Sequence, residues 1–379
     1  MRRLLALAEK EKRLVLGMMT GTSLDGLDLG LFWISGQKTQ VKIEQAAFTT
    51  EPYPESLRAA IIRCFHGSAQ EICRLNMDLG QFYASRALDF ASDQAHLGPI
   101  DLVGSHGQTI WHVHGHSSLQ TGEATLLAQT LGCPVVSDFR VSDISQGGSG
   151  APLVPYLDRI FYGQSGLNTA LLNLGGIGNV TYLPADPNEP LIAFDTGPAN
   201  GILNEAAFII SHGGSTCDLD AQFSSLGKVD PQLLALLLDH PYFKLRPPKS
   251  TGRELFGQPY VQSIFNKWPG GHFDLLRNLV AFVAHSVALS FEQHLPKLDR
   301  LFVSGGGAHH PLLMADLKER LAPLSVEPLP TTSAFTADSK EAAAFALFAH
   351  ERINSNPTSL PEVTGARRAV SMGKISLPD

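Results

Sequence analysis

Short apolar runs of strand length alternate with longer stretches in which apolar residues recur every third or fourth position, and the series occurs twice along the chain. Residues 14–19 and 27–34 read as two strands joined by Thr20-Gly21-Thr22-Ser23-Leu24-Asp25-Gly26. Leu27, Leu29, Leu31 and Trp33 share one face of the second, which predicts a half-buried hairpin. A third strand is expected at 41–49, and helical spacing follows over 54–65 and 69–94. A strand at 100–104 runs into His106-Gly107-Gln108-Thr109. A helix at 123–131, a strand at 134–137 and the loop Gly147-Gly148-Ser149-Gly150-Ala151-Pro152 come next.

Near residue 166 the pattern restarts. Strands at 170–174 and 180–183 are joined by Gly175-Gly176-Ile177-Gly178-Asn179, and a third, 191–194, ends at Asp195. Helices are expected at 198–211, 231–240, 259–267 and 274–295. A strand at 301–304 reaches Gly305-Gly306-Gly307, and helices at 311–321 and 338–352 follow. The expectation is an α/β fold of two lobes, 1–165 and 166–379, with a cleft between them and the final helix free to pack back on the first lobe. Residues 1–13 read as a charged, fraying leader and 355–379 as a loosely held tail. On shape alone, internal duplication and two unrelated glycine-turned hairpins stand as equal readings.

Composition narrows the function. A length of 379 residues suits two domains, and 44% hydrophobic residues argue against disorder. With 29 basic against 36 acidic residues and a net charge of −7, no nucleic-acid partner is expected, because neutralising phosphates needs a basic face. The start Met1-Arg2-Arg3-Leu4-Leu5 resembles a signal peptide until Glu9 to Arg13 interrupt it, and the apolar stretch 279–291 is too short to span a bilayer. A cytoplasmic protein with no membrane partner is therefore expected. Cys64, Cys73, Cys133 and Cys217 form no CxxC and read as buried free thiols.

Several positions could carry chemistry. Gly21, Thr22, Ser23, Leu24, Asp25 and Gly26 combine small residues, hydroxyls and a carboxylate, which suits phosphate oxygens and a hydrated magnesium ion. No Walker A loop and no Gly-x-Gly-x-x-Gly after a strand occurs. The turns at Gly175, Gly176, Gly178, Asn179 and at Gly305, Gly306 follow apolar strands, where open α/β sheets bind ligands. Each alone reads more simply as a tight strand exit; three in one chain favour a nucleotide. Asp195 lies at a strand end before Thr196-Gly197-Pro198. With Thr196 available as helix cap and Pro198 as first-turn residue, its carboxylate is free to act as a base. Arg140 could clamp a carboxylate or form a surface ion pair, and Glu341 could complement a helix dipole. His106, His112, His114 and His116 lack partners at metal-ligand spacing and read as polar loop histidines.

Taken in order, these motifs resemble the anhydro-N-acetylmuramic acid kinase family: Gly21 to Asp28, His106-Gly107-Gln108-Thr109, Asp138-Phe139-Arg140, Gly148 to Pro155, Asn173 to Asn179, Asp195-Thr196-Gly197-Pro198, Pro248 to Glu254, Ser304 to Gly307 and Lys340-Glu341-Ala342. The resemblance implies two ribonuclease-H-like, actin-like ATPase lobes. It implies ATP-dependent opening of 1,6-anhydro-N-acetylmuramic acid with phosphorylation of O6, in recycling of cell-wall fragments. Asp195 matches the catalytic base. Gly21 to Leu27 and Asp28 would surround the ATP phosphates with Asp25 near Mg²⁺, and Gly305 and Gly306 would lie along the nucleotide. Thr109, Arg140 and Glu341 are assigned to the sugar. A homodimer is also implied. Rival readings are another sugar or carboxylate kinase on the same lobes, an actin-like or chaperone-like ATPase, or a non-catalytic nucleotide sensor.

Overall fold

The structure, a computed structural model, describes residues 2–21, 24 and 26–379. It divides into two compact units, Met1–Ile160 with Thr331–Asp379, and Phe161–Pro330. The strands in chain order are β1 Lys12–Met19, β2 Gly26–Ser35, β3 Lys42–Pro52, β4 Leu102–Ser105, β5 Gln108–Val113, β6 Ser117–Thr121, β7 Val135–Ser137, β8 Thr169–Leu174, β9 Ile177–Leu183, β10 Ile192–Pro198, β11 Arg300–Ser304, β12 Val326–Pro328 and β13 Lys374–Ser376.

The main sheet of the first unit runs β13-β7-β4-β1-β2-β3. β1, β2 and β3 form an antiparallel meander, β4 lies parallel to β1, β7 lies parallel to β4, and β13 closes the edge antiparallel to β7. The second unit runs β10-β9-β8-β11-β12. Again three strands form an antiparallel meander, and the next two lie parallel to the first. Both sheets thus share the order third-second-first-fourth-fifth, the ribonuclease-H-like order that the resemblance implies. Unrelated hairpins would not share two crossovers as well as a turn.

In the first unit β1 is buried on both faces. Side chains alternate across a strand, so Leu14, Leu16 and Met18 pack with Leu75, Leu79 and Ala87 of the helix Ala69–Asp93. The other face meets the helix Lys340–Ile353, whose Ala342, Ala346 and Ala349 are buried. That helix approaches so closely that a Cβ at Gly17 would fall on the Ala342 carbonyl, and one at Gly104 on the Phe345 carbonyl. Residues 331–379 therefore belong to the first unit: the final helix packs back on it, as the sequence reading allowed, and the segment before it and the tail, expected in the second lobe, go with it.

Both ends of the chain also differ from expectation. Arg13 is buried and donates to the carbonyls of Leu7 and Ala8 at 2.8 and 3.0 Å, so the helix Arg2–Glu9 is anchored at its C-terminal end rather than frayed. Within the tail, Thr358, Ser359 and Thr364 are buried, the Ser149 amide donates to the Thr364 carbonyl, and β13 extends the sheet. Polar composition concealed this order: buried Leu360, Val363, Ala366 and Met372 are spaced too sparsely to show a periodic face, and the hydrogen bonds between them are made to distant residues. Cys64 and Cys133 are buried as expected, whereas Cys73 is exposed.

The second unit is centred on the helix His272–His294, with Leu275, Leu279, Phe282 and Val283 in its core. By length and composition alone this helix could cross a membrane, but most of it is buried inside the unit.

Candidate active site

In the second unit, Asp195 stands opposite Asn179 and Gly197 opposite Gly178, with the register shifting between Asp195 and Gly197. This bulge turns the strand beside the Gly175 to Asn179 turn, as bulges near reactive groups commonly do. The Asp195 carboxylate accepts from the Thr251 amide through Oδ2 at 2.9 Å. Its own amide donates to the Lys249 carbonyl at 3.2 Å, and its carbonyl accepts from the Tyr242 hydroxyl at 2.6 Å. Burial pushes the carboxyl up to about 6, Glu254 acts in the same direction, and the Thr251 amide and Lys249 act against it. A group with that value is mostly ionised at neutral pH yet basic enough to take a proton, as a general base must be.

The local chain differs from expectation in one respect. β10 continues through Pro198 and the next helix, Asn200–Ile210, starts after Ala199 with no side-chain cap. Thr196 is therefore not its cap. The helix start is satisfied by the glycine turn instead, because the Asn200 amide donates to the Gly175 carbonyl at 2.8 Å and the Gly201 amide to the Gly176 carbonyl at 3.1 Å.

Asn200 also reaches the other glycine turn of this unit. A Cβ at Gly306 would lie 2.9 Å from Asn200 Nδ2, and Gly305, at φ +83°, abuts the Leu174 carbonyl and Asn173. The unit thus brings Gly175, Gly176 and Gly306 to the start of the Asn200 helix, with Gly305 against Asn173 and Leu174, while Asp195 and Asn179 face each other across β10 and β9. Pro311 opens the following helix, as the sequence suggests. His310 caps it by accepting from the Leu313 amide, with its Nε2 on Asp218 at 3.1 Å.

In the first unit, Thr22, Ser23 and Asp25 lie outside the described residues. Gly21 accepts from Gln108 Nε2 at 3.4 Å, and Gly26 lies so close to β3 that a Cβ would sit 2.5 Å from the Glu51 carbonyl. Leu24 and Leu27 were expected at the nucleotide, but their side chains are buried in the core. Only their backbone could meet a ligand. Asp28 accepts from the Thr50 hydroxyl at 2.6 Å and helps push the Glu341 carboxyl upward, second among the raising causes to burial. Glu341 opens its helix, where neighbouring Lys340 pairs with Asp158 at 2.6 Å.

Arg140 is a half-buried cation bonded inside the unit rather than half of a surface ion pair. Its Nε and Nη2 donate to His106 Nε2 at 3.2 and 2.9 Å, and Nη1 donates to the Gly150 carbonyl at 2.8 Å. Burial pulls it down to about 10, and Glu341 opposes that fall. Because His106 Nε2 accepts, its proton resides on Nδ1. Burial first and Arg140 second hold this histidine well below its ordinary range, so it is neutral; it lies in the short β4–β5 connection as expected of a loop histidine, but buried there. The Thr109 hydroxyl accepts from Gln120 Nε2 at 3.1 Å across the β5–β6 hairpin.

Among the described residues no group of three or more His, Cys, Asp or Glu gathers into a metal cage. Magnesium bound with phosphates needs only one or two carboxylates, so Asp25 and the acidic pair Asp28 and Glu341 remain compatible with it. Sequence reasoning assigned no role to Tyr242, Lys249, Thr251, Asn200 or His106. Lys249 and Thr251 fall in the Pro248 to Glu254 motif, the one signal that could have found them.

Two α/β units with matching sheet orders, one presenting a tuned carboxylate beside paired glycine turns, define the class as a phosphotransferase of the sugar-kinase type. The family model described as anhydro-N-acetylmuramic acid kinase matches residues 13–378. The chain belongs to that family. A relative of that name from Caldanaerobacter subterraneus subsp. tengcongensis is 41% identical, with 100% of each chain covered. Another from Salinibacter ruber is 39% identical over 99% of each chain, and one from Clostridioides difficile is 37% identical over 95% of this chain and 97% of its own.

Proposed function

We propose that this kinase opens the 1,6-anhydro bond of 1,6-anhydro-N-acetylmuramic acid with water and transfers the ATP γ-phosphoryl group to O6. Family membership supports the substrate. The observation that carries the chemistry is Asp195, a half-buried carboxylate raised to about 6 and held by a backbone amide.

Asp195 takes a proton from water as the water oxygen forms its bond to the anomeric carbon. The bond between that carbon and O6 breaks, O6 carries away the electron pair and attacks the γ-phosphorus, and ADP leaves. The products are N-acetylmuramic acid 6-phosphate and ADP, and the proton rests on Asp195. Phosphoryl transfer needs positioning and charge stabilisation more than covalent help. The open backbone at Gly175 and Gly176, the close-packed turn at Gly305 and Gly306, and the loop from Gly21 to Asp28 are suited to phosphate and nucleotide. Arg140 and Glu341, with Thr109, are suited to the sugar's carboxylate and hydroxyls. A magnesium ion, held through Asp25 and the phosphates, would neutralise charge on the nucleotide. The same family reading carries a cytoplasmic homodimer acting in cell-wall recycling.

Incubation with ATP and 1,6-anhydro-N-acetylmuramic acid, followed by mass analysis, tests the reading. A product heavier by one phosphoryl group (HPO₃) and one water supports it, with ¹⁸O from labelled water on C1. Label on released phosphate would instead mean plain ATP hydrolysis.

A further inference from the structure

The Pro248 to Glu254 segment holds a group that the reaction as written does not use. Lys249 is only 8% exposed, and its ammonium nitrogen makes no hydrogen bond among the described residues. It lies over two aromatic faces, 5.6 Å from the Phe194 ring centre and 4.9 Å from that of Tyr242. Burying an ammonium without a hydrogen-bond acceptor is costly, and two ring faces offset only part of that cost. Those rings are themselves fixed to Asp195. Phe194 is its neighbour in β10, the Tyr242 hydroxyl donates to the Asp195 carbonyl, and the Asp195 amide donates to the Lys249 carbonyl. The chain therefore builds an aromatic box that holds one buried cation beside the half-buried Asp195.

We propose that Lys249 is a positioning residue whose charge, held over the Phe194 and Tyr242 rings, acts together with the Thr251 amide to keep Asp195 ready as a base. This rests on the reading of Asp195 as the base. An exposed lysine could not do the same work, because solvent would screen it. An acceptor on the ammonium would compete with Asp195 for its field, and the ring faces supply attraction without a competing proton acceptor. Other groups face the pair. Glu254 raises Asp195. The Tyr242 hydroxyl is pushed up by burial first and by Asp195 second. His294, whose ring meets Phe194 edge-on at 5.5 Å, is lowered by burial first, then by Lys249, with Arg246 a smaller contributor. Lys249 itself is lowered by burial and raised by Asp195, so the two charges are mutually dependent.

The test is the pH profile of kcat/KM for the full-length enzyme with ATP and 1,6-anhydro-N-acetylmuramic acid, alongside thermal unfolding. Lys249→Met keeps the apolar stem and removes the charge. Its acid limb is expected to move up by roughly one pH unit, since a neighbouring opposite charge commonly shifts a carboxyl by that much. Lys249→Arg, which keeps the charge, is expected to return the limb towards the wild-type position. A limb that stays put in folded Lys249→Met, whatever the loss of rate, overturns the proposal, as does an equal shift in both variants. If Lys249→Met does not fold, Lys249→Arg alone decides: an acid limb displaced from wild type overturns the proposal. Failure of the wild-type enzyme to turn over this substrate would instead overturn the functional reading, so the two failures are separable.

Discussion

The Thr251 amide donates to Asp195 Oδ2 at 2.9 Å, which ties this carboxylate to a backbone donor that does not titrate. An asparagine at 195 offers its side-chain oxygen to the same amide, so Asp195→Asn preserves the local geometry while removing basicity. Turnover is expected to fall by about 10²–10⁴, the usual contribution of a general base. Nucleotide affinity, measured by calorimetry, is expected to stay within about twofold of wild type. Near-normal turnover in the variant would remove Asp195 from the base role.

The raised carboxyl of Asp195 fixes the sign of two pH effects. Below about pH 6 the base is protonated, so kcat/KM is expected to fall about tenfold per pH unit. Stability moves the other way. The folded state holds this proton more tightly than the unfolded chain does, so the group's contribution is favourable at low pH and is lost as pH rises from about 4 through about 6. Relative to wild type, Asp195→Asn is expected to gain about 1–2 kcal/mol between pH 4 and pH 7.5. Denaturant unfolding at both values checks this, and a difference that stays constant with pH contradicts it.

Much of this arrangement is legible in sequence because it follows local chemistry. Apolar strands punctuated by glycine revealed both meanders, and Asp195 stood out because an apolar strand delivers it to a turn. What stayed hidden depends on contacts made across long stretches of chain. Thr251 meets Asp195 from 56 positions away, and Ser149 meets Thr364 from the tail. No periodicity in one segment reports such a pairing. His106 was only half legible for a related reason: it lies in a loop as it reads, yet it is buried there and Arg140 donates to its Nε2. The β5–β6 hairpin escaped because it is a separate two-stranded sheet with an exposed Trp111, lacking the alternation that a core imposes.

The close approach of the helix Lys340–Ile353 to β1 and β4 makes two glycines sensitive. At Gly104 a side chain would collide with the Phe345 carbonyl, and backbone cannot swing aside as a flexible side chain can. Gly104→Ala is expected to cost about 1–3 kcal/mol, the usual range for overpacking. Gly132→Ala is a contrasting control, since a Cβ there meets nothing within 4 Å and the penalty comes only from its positive φ of +66°. Equal melting temperatures for Gly104→Ala and wild type would contradict the packing described for the first unit.

Arg140 binds two partners inside the protein, so its loss has two consequences that separate experimentally. Removing the guanidinium leaves His106 Nε2 and the Gly150 carbonyl without their donor, and stability is expected to fall by about 1–3 kcal/mol. The functional consequence is expected at the sugar rather than at the nucleotide. Arg140 and Glu341 influence each other's proton affinity, so a carboxylate-bearing sugar held there would lose a cation and be left facing Glu341 alone. Arg140→Ala is therefore expected to raise the apparent KM for 1,6-anhydro-N-acetylmuramic acid by about 10-fold or more, as expected for loss of a charged hydrogen bond, with the KM for ATP changed by less than about twofold. Arg140→Lys keeps the charge without the planar fork, and is expected to recover part of the sugar affinity but not the paired contact to His106. If both variants bind the sugar normally and only melt earlier, Arg140 is a structural residue that shapes the Gly147 to Gly150 loop.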